Sequence, residues 1–119
     1  MAAPVSDFVR LLCETMAALG DVTARRMFGG YGLYCDGVIF AIVADETLYL
    51  KTDAETRPAY EALGLEPFRP YPGKSTAMPY HPPPDSALDD SEELLAWARP
   101  AVAVAFRTRQ TPPTPRRRG

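Results

Sequence analysis

The chain has 119 residues, 46% hydrophobic and 24% charged, a length that supports one hydrophobic core rather than two and a composition ordinary for a globular domain. No apolar run approaches the roughly 20 residues of a membrane span, and MAAPVSDFVRLL lacks the basic region, apolar stretch and cleavage site of a secretory signal, so a cytoplasmic protein without membrane contact is expected. The formal charge of −2 hides an asymmetry: Arg107, Arg109, Arg116, Arg117 and Arg118 close the chain, and the residues before them hold all fifteen acids against eight bases, which argues against a broad DNA-gripping face and confines any nucleic-acid contact to a local patch.

From Ser6 to Leu19, Phe8, Leu11, Leu12, Thr15, Met16 and Leu19 recur at three- and four-residue spacing, with Ser6 as N-cap and Gly20 past the end. This predicts an amphipathic first helix. Between Thr23 and Thr52 the texture turns β-branched and aromatic. Asp36-Gly37 is a two-residue hairpin signal, and a second turn follows at Asp45-Glu46. Strands are therefore expected at about 24–35, 38–44 and 47–52, the first bent or bulged at Gly29, Gly30 and Gly32.

Asp53 to Gly64 reads as a short helix with Pro58 in its first turn and Tyr60 and Leu63 as its apolar residues. Glu66 to Pro84 is proline-rich, with extended pieces at Pro67–Tyr71 and Ala77–Tyr80 around a Pro72-Gly73-Lys74-Ser75 turn. Proline cannot donate to an interior ladder, so these are expected as edge strands. Asp90-Ser91-Glu92-Glu93 is a variant capping box, and Leu94, Leu95, Trp97, Ala98, Ala101, Val102, Ala105 and Phe106 follow at helical spacing. Pro100 predicts either a kink near Arg99 or a new helix starting at the proline. The pattern is helix, three strands, helix, two strands, helix: an α+β domain over residues 1–109, in which an antiparallel sheet of about five strands carries helices on one face. Residues 110–119 hold no apolar anchor and are expected as a disordered basic tail.

Few residue groups suggest chemistry. Cys13 and Cys35 are expected as free core thiols of a reducing compartment. With His81 they offer three metal ligands, but no paired spacing gathers them, so neither a metal site nor a cofactor is expected. No nucleophile–base arrangement or G-x-S-x-G is present, and Asp89, Asp90, Glu92 and Glu93 are explained by helix capping, so no catalytic residue is assigned. The densest unusual cluster runs from Arg25 to Tyr34, paired cations at a glycine-rich bend flanked by aromatics, and Arg25, Arg26, Met27, Phe28, Gly29, Gly30 and Tyr31 are its candidate residues. Its glycines lead into a strand rather than a helix, unlike a phosphate loop. Arg69, Tyr71, Lys74, Met78, Pro79 and Tyr80, on or near the proline-rich segment, form a second group. Together these thirteen residues are the candidate partner or ligand surface, whether the two groups adjoin being open at this level.

The strings TARRMFGGYGLYCDGVIFAIVADETLYLKTD, GLEPFRPY, MPYHPPP and LDDSEELLAWARPAVAVA resemble the N-terminal domain of the bacterial TfoX/Sxy competence regulators, from about Val5 to Arg107. The resemblance implies a two-layer fold similar to type III secretion chaperones. It also implies a non-enzymatic regulatory or adaptor role in transcriptional control of DNA-transformation genes, the better-known relatives acting with the cyclic-AMP receptor protein. A protein partner from the transcription machinery or its regulators is thus expected, with direct nucleic-acid or small-ligand binding through a basic patch as the alternative. Full-length regulators carry a second, C-terminal helical domain, and a stand-alone N-terminal domain is expected here. The family's usual MPYY stands here as Met78-Pro79-Tyr80-His81, which keeps a ring at the last place and makes it titratable.

Overall fold

A computed structural model describes residues 6–27, 29–69 and 77–109. Helix α1 (Asp7–Met16) begins where Ser6 Oγ accepts the amide of Val9 at 3.1 Å, the expected N-cap. Its buried stripe is Val9, Leu12 and Met16. Leu11, counted toward the core from its spacing, is 60% exposed, because the phase that buries Val9 at i, i+3 and i+7 turns position 11 outward.

Among the described residues five antiparallel strands follow in sequential order: β1 (Val22–Met27), β2 (Gly30–Cys35), β3 (Val38–Ala44), β4 (Thr47–Lys51) and β5 (Tyr80–His81). The α+β class and the five-strand count stand as expected. Their partition along the chain differs. The single bent strand expected over 24–35 is a hairpin of two strands, with Met27 opposite Gly30 and Gly29 at φ 80° in the turn. Gly30 serves another purpose: a Cβ there would lie 2.2 Å from the carbonyl oxygen of Val43, so only glycine lets β2 and β3 come together at that point. The bulge itself lies in β3, where Leu33 pairs with Ala41 and Tyr34 with Ile39, leaving Phe40 as the extra residue. Phe40 is fully buried.

The two other hairpins form where expected. Asp36 and Gly37 (φ 51° and 88°) and Asp45 and Glu46 (φ 54° and 58°) occupy two-residue turns with both central residues at positive φ, matching the right-handed twist of the flanking strands. Of the proline-rich pieces, β5 pairs with β4 at the far edge of the sheet. The amide of Phe68 donates to Tyr80 and its carbonyl accepts from Met78, so a short extended pairing exists there. The turn expected at 72–75 and the tail expected over 110–119 lie outside the described residues.

Helix α2 (Arg57–Glu61) has Pro58 in its first turn, and Asp53 Oδ1 accepts the amides of Glu55 and Thr56 just ahead of it. Helix α3 (Ser91–Arg109) is capped by Asp90, whose Oδ1 accepts the amides of Glu92 and Glu93 at 2.9 and 3.2 Å. It runs as one helix through Pro100, so no new helix starts at the proline, and it forgoes the bond Pro100 has no N–H to make. Its small residues Ala98, Ala101 and Ala105 are buried and bring the helix close over β3 and β4.

The core lies between the sheet and α1 and α3. Leu33, Phe40, Ala41, Leu48 and Leu50 from the strands meet Val9, Leu12, Met16, Leu94, Ala98 and Ala101 from the helices. Each large apolar side chain buried there contributes about 1.5–3 kcal/mol relative to exposure. Among the described residues, no helix is long and apolar enough to cross a membrane.

Candidate functional site

Side chains alternate between the two faces of a strand, and this alternation decides what the arginine hairpin can do. Arg25 stands opposite Gly32 and Arg26 opposite Tyr31. Consecutive positions therefore send the two guanidinium groups to opposite faces of β1. Arg25 lies over the ring of Tyr34, 5.2 Å from its centroid, on the face away from the helices. Arg26 lies 5.7 Å from the centroid of Tyr31 on the helix-bearing face. There the Tyr31 hydroxyl accepts the amide of Ser6 at 3.3 Å, joining the hairpin to the start of α1. Both arginines are exposed.

The open face of the sheet gathers residues from distant parts of the chain. Gly32 leaves a gap that the ends of Met27, Ile39 and Tyr34 close over, each within 3.2 Å of where a Cβ would sit. The strand registers place Thr23, Tyr34 and Ile39 in one row, and Lys51 and Tyr80 at the far end of the same face. Lys51 Nζ lies 6.0 Å from the centroid of the Tyr80 ring. The Tyr80 hydroxyl is pushed above its ordinary pKa, first by burial and then by the Tyr34 phenol. Tyr49 packs against Phe68 with centroids 4.7 Å apart.

Of the thirteen candidate residues, Arg25, Met27 and Tyr80 thus share the open face, with Arg25 over Tyr34. Arg26 and Tyr31 belong to the other face. Gly29 and Gly30 shape the hairpin backbone, and Met78 and Pro79 lead into β5, where the carbonyl of Pro79 accepts the amide of Thr52. Arg69 is exposed just beyond Phe68. Phe28, Tyr71 and Lys74 lie outside the described residues. Tyr34 ends the cluster legible in the sequence but is not among the thirteen candidates, and nothing in the sequence singles out Lys51; pairing Tyr34 with Arg25 on one face requires the turn at 28–29.

Other titratable groups serve the interior. His81 is 1% exposed. Its Nδ1 lies 3.0 Å from the Thr52 hydroxyl, its ring is tilted against Tyr60, and its buried Nε2 has no hydrogen-bond partner among the described residues. Burial is the largest cause holding its pKa below the ordinary value, with nearby Glu61 opposing and Arg57 reinforcing. Cys35 is buried and Cys13 partly so, both free, with thiol pKa values raised chiefly by burial. Among the described residues, no three His, Cys, Asp or Glu side chains come together as metal ligands. An apolar groove of about 290 Å³ between α2 and α3 is lined by Ala59, Tyr60, Ala96, Trp97 and Pro100. Another of about the same volume, lined by Phe8, Leu11 and Leu88 among others, separates α1 from the start of α3.

The model of the TfoX N-terminal domain matches residues 14–105. The chain is similar to the DNA transformation protein TfoX1 of Aliivibrio fischeri, 39% identical over 51 residues, which is 43% of this chain and 24% of that protein. It is also similar to protein Sxy of Escherichia coli, 27% identical over 100 residues, covering 82% of this chain and 47% of that one. The chain therefore matches about half or less of the length of these curated relatives.

Proposed function

The chain belongs to the TfoX N-terminal domain family, and from that premise we propose that it is a non-enzymatic regulatory domain that influences transcription of DNA-transformation genes through protein contacts. The observation that carries the reading is the family match across residues 14–105, reinforced by a relative that is itself named a DNA transformation protein. The surface supports contact rather than chemistry. Arg25, Tyr34, Lys51 and Tyr80 form cation–aromatic contacts on the open face of a sheet, and tyrosine and arginine are residue types that dominate binding energy at protein interfaces. His81, buried to 1% exposure, is placed for packing against Tyr60 rather than for reaching a substrate.

The test is affinity purification of the chain from its own host, with quantitative identification of what accompanies it. The reading predicts a stoichiometric partner from the transcription machinery or a transcription factor. It fails if such proteins are recovered only at the level seen with an unrelated acidic domain.

A further inference from the structure

Among the described residues strand β1 ends the sheet, and its pairing with β2 determines which of its backbone groups are used. The amide of Asp36 donates to the carbonyl of Asp21 at 2.9 Å, and the register that sets Val22 against Cys35 makes these two residues opposite neighbours. Bonded and non-bonded pairs alternate along an antiparallel ladder. Thr23, Arg25 and Met27 therefore direct their N–H and C=O groups to β2, while those of Val22, Ala24 and Arg26 point away from the sheet. Among the described residues, no backbone hydrogen bond beyond the β1–β2 ladder reaches these outward groups. Such an edge is a template for one more strand.

The side chains on β1 narrow the choice of strand. Arg25 and Arg26 are exposed on opposite faces, and neither β1 nor β2 contains an acid. A second copy pairing through the same edge would crowd four arginines into one narrow strip, where like charges repel. A strand with carboxylates at two consecutive positions would instead meet Arg25 on one face and Arg26 on the other. We infer that the outer edge of β1 docks an extended acidic segment of a partner protein, added as a sixth strand and hydrogen-bonded to Val22, Ala24 and Arg26. The inference rests on the partner-contact reading above and gives that partner its chemistry: main-chain bonds supply the affinity, and the arginine pair selects the charge.

Because the Ala24 N–H points outward, Ala24→Pro removes a donor from the docking side without breaking a bond to β2. Arg25→Glu/Arg26→Glu leaves the edge intact and reverses its charge. The probes are two synthetic ten-residue peptides of valine and threonine, one with paired glutamates at its centre and the other with paired lysines. Binding is followed by amide NMR on the full chain, and folding of each variant by circular dichroism. The glutamate peptide should shift the amides of Val22–Met27 and the lysine peptide should not. Ala24→Pro should weaken the glutamate peptide at least tenfold, and the charge-reversed variant should exchange the preference. The inference is overturned if the glutamate peptide leaves the β1 amides unmoved at millimolar concentration. It is equally overturned by an equal response to both peptides, by undiminished binding to folded Ala24→Pro, or by sedimentation showing that β1 pairs with a second copy. Should Ala24→Pro not fold, the peptide pair and the charge-reversed variant decide the matter. Failure at the edge leaves the regulatory reading standing, whereas unchanged transcripts in a deletion strain would remove that reading without altering the peptide result.

Discussion

Glu46 occupies a left-handed conformation, φ 58°, at the second central position of the β3–β4 turn. A side chain there costs roughly 1 kcal/mol that glycine does not incur. Glu46→Gly should therefore raise the unfolding free energy by about 1 kcal/mol, read as a higher midpoint in urea with an unchanged slope. His81 makes a pH prediction. Burial depresses its folded-state pKa, so below about 6.5 the unfolded chain takes up a proton that the folded chain refuses, and stability falls with the pH. The melting temperature should drop between pH 7 and pH 5, and His81→Phe should flatten that drop even if its overall stability is lower. Asp53 has the opposite origin, its carboxyl being lowered first by the hydrogen bond from Arg107. Its contribution is lost only in the more acid range below the ordinary carboxylate pKa, so the two effects separate on the pH axis. An unchanged melting temperature from pH 7 to 5 would contradict a neutral, buried His81.

Among the elements, α3 carries the clearest local conflict. Pro100 sits inside a 19-residue helix and deprives Ala96 of its amide partner. Since Pro100 is exposed, Pro100→Ala should restore the bond without disturbing the core and stabilise the domain by about 1–3 kcal/mol, measurable by thermal or urea unfolding. A destabilised variant would mean that the proline is needed for the groove it shares with Tyr60 and Trp97. The elements also show what could be read from the chain and what could not. Ser6, Asp36-Gly37, Asp45-Glu46 and Asp90 announce their caps and turns through local chemistry, and each acts as that chemistry dictates. The segment with Gly29, Gly30 and Gly32 offers three glycines for three different reasons: a turn, a close approach to the Val43 carbonyl and a gap filled by neighbouring side chains. Local sequence does not distinguish these reasons, so a hairpin reads as a bent strand. The bulge at Phe40 carries no glycine signature at all, being set by the register between Leu33 and Tyr34.

At the scale of the whole molecule, charge is segregated. The five strands carry no acidic residue, and all fifteen acids lie in helices, turns and connections. The sheet thus presents Arg25, Arg26 and Lys51 against an otherwise acidic body, a distribution the net charge of −2 conceals. The candidate surface was legible in part. Arg25 stood out through its neighbours, but its separation from Arg26 by the strand alternation, and its sharing of a face with Tyr34 and Tyr80, depend on strand register and therefore on long-range pairing. If the basic sheet contacts a partner in transcription, function should depend on both arginines while folding does not.

The most direct measurement is the transcript profile of a strain lacking the gene, complemented with either the wild-type chain or an Arg25→Ala/Arg26→Ala variant shown by circular dichroism to fold. DNA-uptake transcripts should fall on deletion, return with the wild-type chain and remain low with the folded variant. Transcripts that do not change on deletion, or that return equally with both chains, would contradict a regulatory domain working through this arginine-bearing sheet.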